Sequence, residues 1–361
     1  MKKILIIISL FVFALLYTSC ADKFDVTQFD SAFDDNPNIG DTVYIQQFPV
    51  WQGFNNPKDL IIGREPFLYV ADTDNDRIIM MNVAGDNLGN ISIKKPIALA
   101  QDYQLNLIVC AEYDTTINGT QINLGAVYKI NLVDAGHIIA NAKITRLLPK
   151  SNFDFNRPNR RYTGAAVFSD NSFYISRTGP ENNNPIDPDN VIMIFRKKTL
   201  TDGTKVDTLV GSLPSFQPTG TGLMSAYEIS SLTSLNNGTI DFIMTLTGGT
   251  SFKTQWLRYI QTTDFTGYQS RLSAFSSDLM AVDKFEKPED ATIDNVGNIY
   301  VADAAKDSVF KFSNFGDELT SFGGSDLLNS PHAVGYFDRT LYVLDTGNNR
   351  ILRFILSTEL D

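Results

Sequence analysis

The sequence predicts an all-β chain arranged as a six-bladed β-propeller, on three observations. One segment recurs near the two ends of the chain at a repeat spacing of about 40 residues, a period that belongs to propellers and solenoids. The apolar residues inside each copy follow strand rather than helix periodicity. The strands marked in this way fall into groups of four.

The first copy, residues 56–83, reads NPKDLIIGREPFLYVADTDNDRIIMMNV. Residues 287–312 read KPEDATIDNVGNIYVADAAKDSVFKF, and residues 330–354 read SPHAVGYFDRTLYVLDTGNNRILRF. Each copy sets a Pro before a short apolar run, a Tyr-Val pair eleven or twelve residues later, an Asp three residues beyond the Tyr, and a second apolar run. Within them apolar residues alternate, as at Ile78 and Met80, or run unbroken, as over 60–62 and 68–71. The pattern of DTDNDRI at 72–78 and DTGNNRI at 345–351 resembles the NHL repeat of six-bladed propellers, and the copy at 287–312 departs from it with AAKDSV. The resemblance implies the architecture and little about activity, because propellers host many unrelated functions.

Taken in order, 42–48 (TVYIQQF) reads as a strand with no neighbouring partner. Blade one follows with strands at 58–63, 67–71, 77–82 and 88–94, and blade two with 97–101, 105–110, 124–131 and 138–147. Blade three takes 164–168, 172–176, 190–196 and 206–211; blade four takes 227–235, 239–245, 254–261 and 269–276. Blade five has 289–294, 298–302, 307–313 and 318–322, whereas blade six has only 332–336, 340–344 and 349–355. The orphan strand at 42–48 therefore completes the last blade, closing the ring without leaving an open strand edge. Three polar segments, 112–123, 177–189 and 247–253, separate the second and third strands of blades two, three and four. Loops of that length in a compact domain are usually functional, and their shared topological position sets them on one face of the disc.

Composition narrows the function classes. The chain has 361 residues, 43% hydrophobic and 20% charged, which supports a large buried core and excludes disorder. A net charge of −11 and no basic run argue against nucleic acid as a partner. Residues 1–19 read as an export signal, with Lys2 and Lys3 ahead of an apolar run at 4–16 that is too short to span a bilayer. Thr18 and Ser19 before Cys20 resemble a bacterial lipobox, which implies lipidation of Cys20 and an outer-membrane lipoprotein; Tyr17 departs from the usual Leu. The other reading is an ordinary signal peptide with a chance Cys. Residues 20–41 carry six Asp and one Lys and read as an acidic tether, leaving 42–358 as the propeller. Cys110, the only other cysteine, reads as a small buried hydrophobe.

Candidate sites concentrate at the channel mouth. Asp72-Thr73-Asp74-Asn75-Asp76 spaces carboxylates like a calcium loop, but Arg77 and Val83 stand where such a loop needs Gly and Glu. Asp72, Asp303 and Asp345 are read instead as turn residues whose carboxylates hold backbone N–H groups. Asp59, Glu228 and Asp290, with His332 one position earlier, follow the opening of blades one, four, five and six. Three carboxylates and an imidazole about one axis suit a divalent cation. Ala98, Ala165 and Ala333 in the other register positions favour a solvated polar mouth with no cofactor. Trp51, Tyr113, Arg177 and Tyr227 complete the candidate ligand-binding set. The chain has two histidines and no GxSxG, HExxH or phosphate-loop motif, so no catalytic residue is assigned. The expected function is an envelope-anchored module that binds a protein or glycan across the loop-rich face; the alternative is a metal-dependent hydrolase or lyase acting at the mouth.

Overall fold

The computed structural model describes residues 43–235 and 237–359, so the export signal at 1–19, Cys20 and the tether at 20–41 lie outside the described residues. Strand β1 is Tyr44–Gln52. Blade one contains β2 (Asp59–Ile62), β3 (Leu68–Asp72), β4 (Arg77–Met81) and β5 (Asn87–Ser92). Blade two contains β6 (Ala98–Gln101), β7 (Leu107–Ile117), β8 (Thr120–Asn131) and β9 (Lys143–Leu148). Blade three is β10 (Arg161–Val167), β11 (Phe173–Thr178), β12 (Val191–Thr199) and β13 (Lys205–Ser212). Blade four is β14 (Ile229–Ser234), β15 (Phe242–Leu246), β16 (Thr254–Gln261) and β17 (Thr266–Ser270). Blade five is β18 (Pro288–Ile293), β19 (Ile299–Asp303), β20 (Ser308–Phe312) and β21 (Glu318–Gly323). Blade six is β22 (Pro331–Phe337), β23 (Thr340–Asp345) and β24 (Arg350–Leu356), with β1 as its outermost strand in the order β1-β24-β23-β22. The protein is a six-bladed β-propeller closed by its N-terminal strand.

The core lies between the blades. One apolar cluster fills each of the six interfaces, for example Tyr69, Leu99 and Val109 between blades one and two, and Trp51, Leu60 and Tyr342 between six and one. Each second strand is therefore covered on both faces, which is why β3, β15 and β19 are buried at every residue and read as unbroken apolar runs. Outermost strands such as β5 and β13 are mostly exposed and polar. Cys110 is fully buried, packed between blades two and three.

The repeat motif is a hydrogen-bonding device that joins blades. Asp72 is inaccessible to solvent; it accepts from the Asn55 N–H at 2.7 Å, Asn75 Nδ2 at 2.9 Å and Arg77 Nε at 2.7 Å. Asp345 repeats this with Asn329 N–H at 2.7 Å, Asn348 Nδ2 at 2.9 Å and Arg350 Nε at 2.6 Å. In the departing copy Asp303 lacks both side-chain partners, and four backbone N–H groups, of Glu286, Lys287, Ala305 and Lys306, take their place. The residue four beyond each Asp (Asp76, Asp307, Asn349) sits at φ between 47° and 54°, a left-handed turn that Asn and Asp tolerate. Thr73 then donates to the Pro96 carbonyl at 2.6 Å and Thr346 to that of Pro57 at 2.7 Å, so the motif's Thr holds the Pro opening the next blade. Asp345→Ala is expected to lower stability by about 2–3 kcal/mol in urea unfolding, since it orphans a backbone N–H and a half-buried guanidinium. An unchanged midpoint would contradict this account.

The structure moves several boundaries: the fourth strand of blade two is 143–148 rather than 138–147, that of blade four is 266–270 rather than 269–276, and two further corrections have clear causes. β1 runs to Gln52 rather than stopping at residue 48: pairing breaks between Gln47 and Trp51, then resumes with Trp51 opposite Ile351. Pro49 has no N–H to donate, and a bulge on this edge strand absorbs it. Residues 112–123 are not a loop. β7 and β8 pair without interruption from Leu107–Ile130 to Ile117–Thr120 around Asn118 and Gly119, whose φ values are 52° and 81°.

Candidate functional site

Strand pairing fixes which residues face the axis. In each blade one innermost-strand residue pairs with the equivalent buried position of the second strand (Ala71, Cys110, Ser176, Thr245, Ala302 and Leu344); these residues are Asp59, Ala98, Gly164, Ser231, Asp290 and Ala333. The ring therefore holds two acids, one hydroxyl and three small residues. Glu228 is not in it. Blade four has no opening Pro to count from, the true register residue is Ser231, and Glu228 lies three residues earlier with φ 54° and an exposed side chain. Gly164, not Ala165, is the blade-three member.

The two acids do not converge on an ion. Asp59 accepts from its own strand at Leu60 N–H (2.7 Å) and from the next blade at Leu99 N–H (2.5 Å). Asp290 accepts from Ser231 Oγ of blade four at 2.6 Å and Val334 N–H of blade six at 3.0 Å. They act as staples between inner strands, and the small Ala98 and Ala333 leave room for the crossing carboxylates. Among the described residues no group of three or more His, Cys, Asp or Glu is placed to hold a metal ion. Both side chains keep some surface open to the channel, yet protein surrounds them. That surrounding pushes the Asp290 carboxyl up to about 7 and raises Asp59 as well, with the Asp290 charge as the second cause there.

Above the ring the channel, of about 200 Å³, opens into a wider cleft of about 620 Å³. Lys58, Thr163, Glu289 and His332 line both spaces. Lys58 Nζ lies 3.1 Å from His332 Nε2, and Lys287 Nζ lies 2.6 Å from Glu289 Oε1, which is 3.8 Å from His332 Nδ1. Burial, then the charges of Lys58 and Lys287, pull the His332 imidazole down to about 3, so it is neutral and accepts from Lys58.

The far wall is the segment 177–189, built by arginines. Arg177 is buried and donates to Asp187 Oδ1 at 2.9 Å, the Pro188 carbonyl at 2.6 Å and the Asp189 carbonyl at 3.1 Å. Arg160 holds Asp189 Oδ1 at 2.6 Å and Asp187 Oδ2 at 2.5 Å. This organisation presents Thr178, Gly179, Pro180 and Asn182 to the cleft. Opposite them Tyr227 lines the cleft against Gly248, where a Cβ would stand 2.7 Å from the ring. The segment 247–253 contributes Thr247.

The candidate residues thus separate. His332, Tyr227 and Glu228 meet at the mouth, and Asp59 and Asp290 lie deeper in the channel. Trp51 is 5% exposed and packs in the core beside Tyr342, with Arg353 above its ring. Tyr113 lies on β7 under the Arg146 guanidinium at 3.8 Å and lines neither space. Arg177 builds the wall and lines neither space. Lys58 and Glu289 were missed; each immediately precedes an Asp singled out at a blade opening, and proximity to those positions was the available signal.

No protein-family model matches the chain, and no curated protein matches its sequence. Solved structures do. A Bacteroides thetaiotaomicron protein of unknown function superposes with a TM-score of 0.56 at 14% identity, over 88% of this chain and 77% of that one. An auxiliary nutrient binding protein from the same organism gives 0.55 at 13% identity, over 84% and 70%. A gluconolactonase from Xanthomonas campestris gives 0.54 at 11% identity, over 88% and 90%. At such identities the likeness is one of fold, and what it establishes is that this chain shares the six-bladed β-propeller architecture with them.

Proposed function

We propose that the protein is a binding module whose ligand, a protein or a glycan, occupies the cleft over the axial mouth, and that a lipid at Cys20 holds it at the bacterial outer membrane. The observation that carries the reading is the cleft itself: about 620 Å³, inside the usual range for ligand sites, with a wall held in place by buried arginine–carboxylate pairs. A wall preorganised in this way loses little entropy when a ligand docks. One structural neighbour is described as a nutrient binding protein, which is consistent with such a role. The alternative of metal-dependent hydrolysis or elimination draws no support from the acids, which are occupied in joining blades.

Replacing residues 180–186 by a short Gly-Ser turn keeps Arg177, Asp187 and Asp189 and removes the upper wall. The variant is expected to keep its Tm within a few degrees and to lose at least tenfold in affinity on a glycan array and against partners identified from envelope extracts. Equal binding by the shortened protein would place the ligand on another face.

A further inference from the structure

Lys58 is a half-buried ammonium with no carboxylate within 4.0 Å among the described residues. Among the described residues its one hydrogen-bonding neighbour is the neutral His332, which takes one of its three N–H donors. Charges taken out of water are ordinarily paired. The surroundings do not supply the pair: Glu289 is engaged by Lys287 at 2.6 Å, and Asp74 by Lys95 at 3.0 Å. Glu228 also lines the cleft but lies beyond 4.0 Å of Lys58, so the mouth balances in total charge while the Lys58 ammonium itself has no carboxylate against it. Burial holds the Lys58 ammonium below its usual range, Glu289 only partly offsetting this, as expected of a cation lacking its counter-ion.

We infer that Lys58 is the subsite for a single carboxylate carried by the ligand, and that the ligand is an acidic sugar of the uronic acid class. This rests on the cleft being the binding site and names what fills it. A uronate offers one carboxylate and several hydroxyls on each ring. The cleft answers with the Lys58 ammonium, with Glu228 and Glu289 as hydroxyl acceptors, and with the Tyr227 ring, whose hydroxyl bonds no described residue. The two glutamates also set a limit: a dense polyanion meets repulsion, whereas one carboxylate against Lys58 does not.

Calorimetry on the intact protein tests this with the methyl glycoside of galacturonic acid, which carries one carboxylate, its methyl ester and the neutral methyl galactoside. The wild type is expected to bind the acid at least tenfold more tightly than the ester. Lys58→Met should abolish that preference with Tm unchanged, while Lys58→Arg, which keeps the charge, retains part of it. Equal binding of acid and ester, or a preference surviving in Lys58→Met, overturns the inference. So does binding only of a peptide with a free C-terminal carboxylate over its amide, which would assign the subsite to a protein ligand. If no saccharide binds but wall shortening still abolishes the array or extract signal, the uronate assignment fails and the cleft reading stands. If wall shortening changes nothing, the cleft reading itself has failed.

Discussion

A chain lacking residues 43–52 is expected to lose its cooperative unfolding transition and to aggregate. β1 pairs with β24 from Tyr44–Leu356 to Gln47–Arg353 and again at Trp51–Ile351 and Gln52–Arg350. Those ladder bonds contribute about 1 kcal/mol each. Trp51 is 5% exposed within the cluster that joins blades six and one, and losing a buried Trp costs about 3–5 kcal/mol. Tyr44 adds a ring contact with Phe322 at 4.6 Å and a hydroxyl contact with Tyr300 at 3.2 Å, so the blade five–six interface is loosened too. The total reaches the roughly 5–15 kcal/mol that stabilises a whole domain. The truncated protein would also expose the edge of β24, a template for pairing with other chains. A synthetic peptide of residues 43–52 should restore solubility in trans by adding the missing strand. Calorimetry and light scattering decide the matter: a truncated protein that stays monomeric at the wild-type Tm would show that closure does not depend on this strand.

The ring closure was legible because an unpartnered strand at one end of the chain matched a three-stranded blade at the other. Periodicity located the 24 strands because each second strand is covered on both faces and opens with an apolar run, its polar residues falling at the end of the strand. The errors have local causes. At 112–123 polarity was read as a loop, although Asn118-Gly119 between alternating residues is the strongest short-range hairpin signal. The first strand was ended at residue 48, just before Pro49, and a bulge carries the strand past that residue.

The site was less legible, because register across blades decides it and one residue of offset changes which way a side chain faces. Counting from an opening Pro found Asp59 and Asp290 and failed in blade four, where no Pro marks the start and Glu228 stood in for Ser231. Arg177 occupies in β11 the place that Asp72 holds in β3, with the charge reversed. Nothing in the residue order signals that its partners, Asp187 and the Pro188 and Asp189 carbonyls, come from the same segment and turn it into scaffolding. Trp51 shows the one-way character of aromatic residues near strand ends: a ring that suits a binding face suits an interior equally well, whereas Tyr113 stays partly exposed and is covered by Arg146.

The buried acids make stability depend on pH in the direction opposite to ordinary acid denaturation. Asp290 titrates at about 7 in the folded protein against 3.8 for an unperturbed carboxyl, and Asp59 moves the same way. Below about pH 4 the pair is protonated in both folded and unfolded chains and carries no penalty. As pH rises from about 4 the unfolded chain ionises first, so the advantage of the protonated native pair is progressively lost until pH passes about 7. With about 1.36 kcal/mol for each pH unit between the two values, Asp290 alone accounts for about 4 kcal/mol, reduced by whatever water the channel admits. Other carboxylates behave in the ordinary sense: Asp187, held down by Arg160 and Arg177 against its own burial, loses its contribution as pH falls. The comparison of wild type with Asp290→Asn cancels those groups. The amide introduced by that substitution can still accept from Val334 N–H and donate to Ser231 Oγ, so both staples survive without the charge. The variant is therefore expected to be more stable than wild type by about 2–4 kcal/mol at about pH 8 and equal to it at about pH 4, read as urea midpoints across the range. A difference between the two proteins that is the same at both pH values would mean that Asp290 is not held protonated, and that the channel is wetter than its walls suggest.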